Sequence, residues 1–298
     1  MNEPGREDAQ PGHTAGHTVL SVLRGAEQWL AGRGVDAPKR AAELLLGKVL
    51  GLDRLALYLA HDRPLDEQER AQLRALVVRR AHGEPVAYLL GSWSFRGLEL
   101  AVSPAVLVPR PETEELATLA LERAPQGGSV VDLGTGSGAL AIALAVERPD
   151  LRLVAVDVSH NALELAKANA ARHGVAERIT FAHGSWWEPL GGSAFDLVVS
   201  NPPYVDPQAP AGLAPDVRAH EPPLALFTAP GDPASCYRAI VAGVPAHLRP
   251  GGWLVAETGV GASGPALAWL QQQPFLQAVE LRPDFAGIDR YLLAQRRS

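Results

Sequence analysis

The chain has 298 residues, 47 % of them apolar and 20 % charged, with a formal net charge of −6 and a single cysteine. That composition suits a globular protein with chain enough for two cores, excludes an intrachain disulfide, and argues against a basic nucleic-acid platform. No apolar run nears the roughly 20 residues of a bilayer span, and the polar stretch Met1–Gln10 lacks a leader's basic-then-apolar order, so a cytoplasmic protein without membrane contact is expected.

Residues 1–16 are rich in Gly, Pro, His and polar residues without period, which predicts a disordered tail. From Val19 to Leu30 the apolar spacing is helical, and Gly32 and Gly34 supply a stop. A second helix follows Asp36, with a Pro in its first turn and Ala41, Leu44, Leu45, Val49 and Leu50 on one apolar face. A third begins at Asp66, where Glu69 completes an acidic capping box, and runs through Leu73, Leu76 and Val77. These helices complete a small helical domain; residues 1–89 together carry 12 acidic and 12 basic side chains, so the excess acid lies downstream.

Between Gly91 and Val108 the pattern changes: Trp93, Phe95, Leu98, Leu100 and Val102 suggest a hairpin or extended linker, closed by Pro104, Pro109 and Pro111. Glu112 and Glu114 read as acids complementing a helix N-terminus. Beyond them, short apolar runs at Ser129–Leu133, Leu151–Asp157, Arg178–Phe181, Phe195–Ser200 and Trp253–Glu257 alternate with helical patterns such as Ala162–His173. That alternation predicts an α/β domain, a parallel sheet with helices on both faces. No Cys/His cluster has metal-ligand spacing, and no metal is expected.

Two motifs carry chemistry. The first is the strand-to-helix turn Gly134, Thr135, Gly136, Ser137, Gly138, where glycines permit a sharp turn and close backbone approach to a ligand. Asp132 precedes it, placed to balance a cationic amino-acid group, and Asp157 ends the next strand as an acceptor for ribose hydroxyls. The glycine spacing is not the dinucleotide Gly-x-Gly-x-x-Gly, which favours S-adenosylmethionine over a pyrophosphate ligand. The second motif is Asn201-Pro202-Pro203-Tyr204 at the end of a buried strand, a stiff arm rich in acceptors. The Asn201 side-chain oxygen and the Pro202 carbonyl suit the two N–H groups of a planar amide or exocyclic amine, and Tyr204 offers a face for stacking. The same arm serves an adenine N6 or guanine N2 amino group, so a nucleic-acid methyltransferase is the alternative; its signature, an added basic recognition domain, is absent from the neutral N-terminal region.

With these motifs in order, the chain closely resembles the HemK-type protein-(glutamine-N5) methyltransferases that modify class I peptide chain release factors. The resemblance runs through Arg79–Pro85, Phe95–Leu98, Val108–Glu114, the glycine loop, the Asn-Pro-Pro-Tyr arm, His220–Leu226 and Gly251–Trp253. It implies a Rossmann-like, seven-stranded S-adenosylmethionine-dependent methyltransferase domain over 110–298. A helical substrate-recognition domain over 17–90 and a hairpin linker over 91–109 would precede it. It further implies that Gly134–Gly138, Asp157, Trp186 and Asn201 bind S-adenosyl-L-methionine, which leaves as S-adenosyl-L-homocysteine. Asn201–Tyr204 would hold the glutamine of a Gly-Gly-Gln loop, and Phe95 would line its pocket. Where such enzymes often carry an acid before the aromatic that follows the third strand, Ser185 stands here before Trp186.

Overall fold

The computed structural model describes residues 17–209 and 213–298, so the tail expected over 1–16 lies outside the described residues. The chain divides into two compact units, one reaching Leu90 and the other running from Gly91 to Ser298.

The first unit is helical: α1 (Val19–Ala31), α2 (Pro38–Leu50), α3 (Arg54–Leu59), α4 (Glu67–Ala81) and α5 (Val86–Leu90). Its ends follow from local chemistry. Thr18 caps α1 by accepting the Ser21 N–H, and at α4 Asp66 and Glu69 each accept the other's backbone N–H at 2.8 and 3.0 Å, closing the capping box. Gly51 ends α2 with φ 65°, a conformation that glycine adopts without strain. The buried side of α2 includes Ala41 and Leu45 of the expected face together with Ala42 and Leu46, while Leu44, Val49 and Leu50 of that face are half-buried. These join Leu23, Leu30, Leu57 and Leu73 in one core, each large apolar side chain contributing about 1.5–3 kcal/mol. Helices α3 and α5, six and five residues long, were not anticipated because so short a segment shows no period.

The second unit opens with the hairpin β1 (Ser92–Phe95) and β2 (Leu98–Ala101), turned by Arg96 and Gly97, both at positive φ. Expected as a linker, it is built into this unit: Phe95 and Leu100 are buried in the same core as α6 (Pro111–Leu121) and α7 (Ala139–Glu147). The remaining elements are β3 (Ser129–Leu133), β4 (Arg152–Asp157), α8 (His160–Arg172), β5 (Ile179–His183), β6 (Phe195–Ser200), α9 (Pro215–His220) and α10 (Pro223–Leu226). They are followed by α11 (Ser235–His247), β7 (Leu248–Glu257), α12 (Ser263–Gln271), β8 (Leu276–Pro283) and β9 (Asp289–Arg296).

One seven-stranded sheet, ordered β5-β4-β3-β6-β7-β9-β8, organises the unit. The five strands from β5 to β7 are parallel, whereas β9 runs antiparallel to both β7 and β8. The expected all-parallel sheet is thus mixed at one edge. Both faces are covered: Val130 of β3 packs with α6, α7 and α8, while its neighbours Val131 and Leu133 pack with α11 and α12. From β3 the chain steps outward to β4 and β5, then crosses back to β6. The strand order therefore reverses between β3 and β6, and at such a point the diverging loops leave a crevice beyond the strands' carboxyl ends.

Candidate functional site

The glycine loop leaves β3 at that crevice. Gly134, Gly136 and Gly138 have φ of 79°, 56° and 82°, a left-handed region that costs a side-chain-bearing residue about 1–2 kcal/mol. Strand β4 ties the loop down: Gly134 and Thr135 donate their N–H groups to the Val156 carbonyl, both at 2.9 Å, and Gly136 donates to Asp157 Oδ2 at 2.9 Å. The other Asp157 oxygen accepts from Ser159 N at 2.8 Å. Burial pushes the Asp157 carboxyl above its ordinary range, opposed by those N–H groups. A carboxylate has about four lone-pair sites, so Asp157 retains acceptor capacity.

A cavity of about 350 Å³ opens over the loop, inside the range of roughly 300–1,000 Å³ typical of small-molecule sites. Of the residues singled out in the sequence, it brings together Gly134, Thr135, Gly136, Ser137, Asp157, Trp186, Asn201 and Pro203. A Cβ on Gly136 would meet nothing within 4 Å, so that backbone lies open, and a Cβ on Gly134 would stand 3.9 Å from the Trp186 ring. Ser185 also lines the wall, and its N–H donates to Glu188 at 3.0 Å.

Other expected residues lie elsewhere. Gly138 stands behind the wall, where a Cβ would meet Ile142 at 2.8 Å and Ala166 at 3.1 Å; its task is close packing of α7 on α8. Asp132 is fully buried beneath the loop, accepting from the Thr135 hydroxyl at 2.7 Å and from Ala141 N at 3.3 Å. It holds the turn from within rather than facing a cationic group, and desolvation raises its carboxyl to about 7. Phe95, expected to line an acceptor pocket, is 1 % exposed and belongs to the hydrophobic core, because β1 turns its ring inward against α6 and α7. Pro202 is buried outside the cavity wall. Tyr204 packs so closely on Gly259 that a Cβ there would come within 2.5 Å of its ring, and burial pushes its phenol up to about 12.

Three further features shape the site. Asn201 leaves the end of β6 and its Nδ2 donates to Thr113 Oγ1 at 3.2 Å; Thr113 in turn donates to Glu257 Oε2 at 2.7 Å. Thr113 and Glu257 are 5 % and 1 % exposed, so this chain of hydrogen bonds runs through the interior from β7 to the cavity wall. Asn169 of α8 clamps the hairpin to the glycine loop, accepting from Ala101 N at 2.8 Å and donating to the Ala101 and Ser137 carbonyls. Glu221, which the sequence left between ordering its loop and being a plain surface acid, is 3 % exposed, accepts from Val108 N and pairs with Arg110. That pair anchors the segment whose Pro222, Leu224 and Ala225 close the cavity.

Comparison with known proteins matches residues 21–91 to the PrmC N-terminal domain and residues 114–214 to the methyltransferase small domain. A release factor glutamine methyltransferase of Geobacter sulfurreducens is 43 % identical over 92 % of this chain and 95 % of its own length. One from Nitratidesulfovibrio vulgaris is 41 % identical over 96 % of this chain and 98 % of its own. Among solved structures, a methyltransferase from Pyrococcus furiosus superposes with a TM-score of 0.51 at 17 % identity, covering 76 % of this chain and 98 % of that one, a likeness of fold.

Proposed function

This chain belongs to the family of release factor glutamine methyltransferases, and from that premise we propose that it transfers a methyl group from S-adenosyl-L-methionine to the N5 amide of the Gly-Gly-Gln glutamine in class I peptide chain release factors. The observation that carries the reading is Asn201. Its amide nitrogen is engaged by Thr113, so its Oδ1 is the end left to accept a substrate N–H, in the same cavity wall as the glycine loop and Asp157.

The residues present fit the cofactor. The open backbone at Gly136 and the spare acceptor capacity of Asp157 suit a ribose, while Trp186 and the apolar wall around Val106, Leu140 and Phe227 suit a purine face. S-adenosylmethionine, when bound there, supplies an electrophilic methyl on a sulfonium.

An amide nitrogen is a poor nucleophile because its lone pair is delocalised, so orientation is the main service this chain renders. Asn201 Oδ1 and the Pro202 carbonyl are proposed to accept the two N–H groups of the glutamine amide and aim its nitrogen. Such alignment is worth on the order of 7–11 kcal/mol in ideal intramolecular cases. The two prolines keep the arm stiff. Tyr204, packed against Gly259 outside the cavity lining, serves this reading by anchoring the end of the arm. No strong base is required, since the nitrogen's proton becomes acidic as the bond to carbon forms.

The helical unit up to Leu90 is assigned the release factor's recognition, supported by its match to the PrmC N-terminal domain and by the exposed Leu55 and Leu59 of α3. Among the described residues no helix is long and apolar enough to cross a membrane; the proposed release factor substrate supports the cytoplasm as the site of reaction. The test is transfer of labelled methyl to a purified class I release factor and to its Gly-Gly-Gln glutamine-to-alanine variant. Label in the first and none in the second is expected; equal label in both, or none in either, overturns the reading.

A further inference from the structure

We propose that Glu257, acting through Thr113, is a positioning residue that selects which end of the Asn201 amide faces the methyl acceptor. The inference rests on the function proposed above and adds a device to it.

The argument is one of hydrogen counting. Thr113 has a single hydroxyl hydrogen. With Glu257 a carboxylate, which only accepts, that hydrogen goes to Glu257 Oε2 at 2.7 Å. The Thr113 oxygen is then an acceptor toward Asn201, 3.2 Å away, and only the Nδ2 end of the amide satisfies it. Asn201 Oδ1 is thereby presented as an acceptor for the substrate's N–H. With Glu257 protonated the chain runs the other way: the acid donates to Thr113, Thr113 donates to Asn201, and the amide turns to offer Nδ2. A donor facing the N–H groups of a glutamine cannot hold them. One proton, two hydrogen bonds from the Asn201 amide, thus separates an accepting from a donating acceptor site.

The surroundings of Glu257 make that proton available near neutrality. Burial is the largest influence and raises the carboxyl to about 7. Glu112 of α6 pushes the same way, whereas Thr113, Arg290 of β9 and Arg110 favour the charged form. The Tyr237 hydroxyl of α11 donates to the Glu257 backbone carbonyl, leaving the side chain to Thr113, and the phenols of Tyr204 and Tyr291 lie within its field.

The experiment is the pH dependence of kcat, from pH 5.5 to 9, for labelled methyl transfer to a class I release factor at saturating S-adenosylmethionine. It compares the wild-type chain with Glu257→Gln, Thr113→Val and Thr113→Ser, with cofactor affinity measured by calorimetry for each. In the wild type kcat falls about tenfold per pH unit below the Glu257 titration. In Glu257→Gln, which cannot titrate, kcat is lower at pH 8 and this acid limb is gone. Thr113→Val loses at least tenfold in kcat with unchanged cofactor affinity, and Thr113→Ser recovers most of that loss. An acid limb in Glu257→Gln identical to wild type, or undiminished kcat in Thr113→Val, overturns the relay alone. Absence of transfer by the wild type at every pH overturns the acceptor reading and the relay with it.

Discussion

Replacing Gly138 by alanine, with Gly136→Ala as its partner experiment, separates two reasons for a glycine in one loop. Both residues have left-handed φ, 82° and 56°, so either alanine carries a backbone cost of about 1 kcal/mol or somewhat more. They differ in what the new methyl meets. At Gly136 nothing lies within 4 Å, whereas at Gly138 the Cβ meets Ile142 Cδ1 at 2.8 Å and Ala166 Cβ at 3.1 Å. Ile142 can change rotamer, but Ala166 has none, so α8 must retreat from α7; overpacking of this kind costs typically about 1–3 kcal/mol. Gly138→Ala should therefore destabilise the protein by roughly 3 kcal/mol and Gly136→Ala by roughly 1 kcal/mol. Urea denaturation of the cofactor-free chains measures both. Gly136→Ala should instead lose more S-adenosylmethionine affinity, because its methyl projects where the backbone lies open at the cavity. Equal stabilities within about 0.5 kcal/mol would refute the packing argument for Gly138, that margin being the scatter of substitutions without a specific mechanism.

Asn201→Ala should collapse methyl transfer while calorimetry shows cofactor binding largely kept; unchanged turnover would remove Asn201 from the acceptor site. Asp157→Ala should weaken cofactor binding about tenfold or more, since a charge-assisted hydrogen bond is worth roughly 1.5–3 kcal/mol, and unaltered affinity would end its ribose role. Asp132 has a carboxyl raised by burial to about 7. Its contribution to stability is fully present below the unfolded carboxylate value and is lost as pH rises through 7. Asp132→Asn should therefore flatten the fall in unfolding free energy between pH 5 and 7.5, and an identical slope in the variant would mean that Asp132 does not titrate there.

Legibility in the sequence followed periodicity. The long helices and the parallel strands were readable because their apolar residues repeat at helical spacing or fill a short continuous run. The antiparallel edge was not. Four consecutive residues of β9, Tyr291 to Ala294, are buried, so no alternation marks it, and β8 breaks register between Gln277 and Glu280, where Ala278 has φ 48°. Hairpin residues Phe95 and Leu98 were legible as extended, but not their inward direction, which depends on helices that come later in the chain.

The site divides on the same ground. Gly134, Asp157 and Asn201 announce themselves because each sits beside a strand end, and strand ends are local features. Thr113 and Glu257 do not, being separated from their hydrogen-bond partners by 88 and 144 residues respectively. Thr113 reads in sequence as one more residue of an acidic helix start, and Glu257 as the polar end of a buried strand. Only the placing of β7 beside β6 brings the Glu257 carboxylate under the helix that carries Thr113, and only then does the Asn201 amide have a defined direction. The motif supplies an amide at the crevice. Which of its ends accepts from a substrate depends on a proton held at the end of β7, outside both the glycine loop and the Asn-Pro-Pro-Tyr arm.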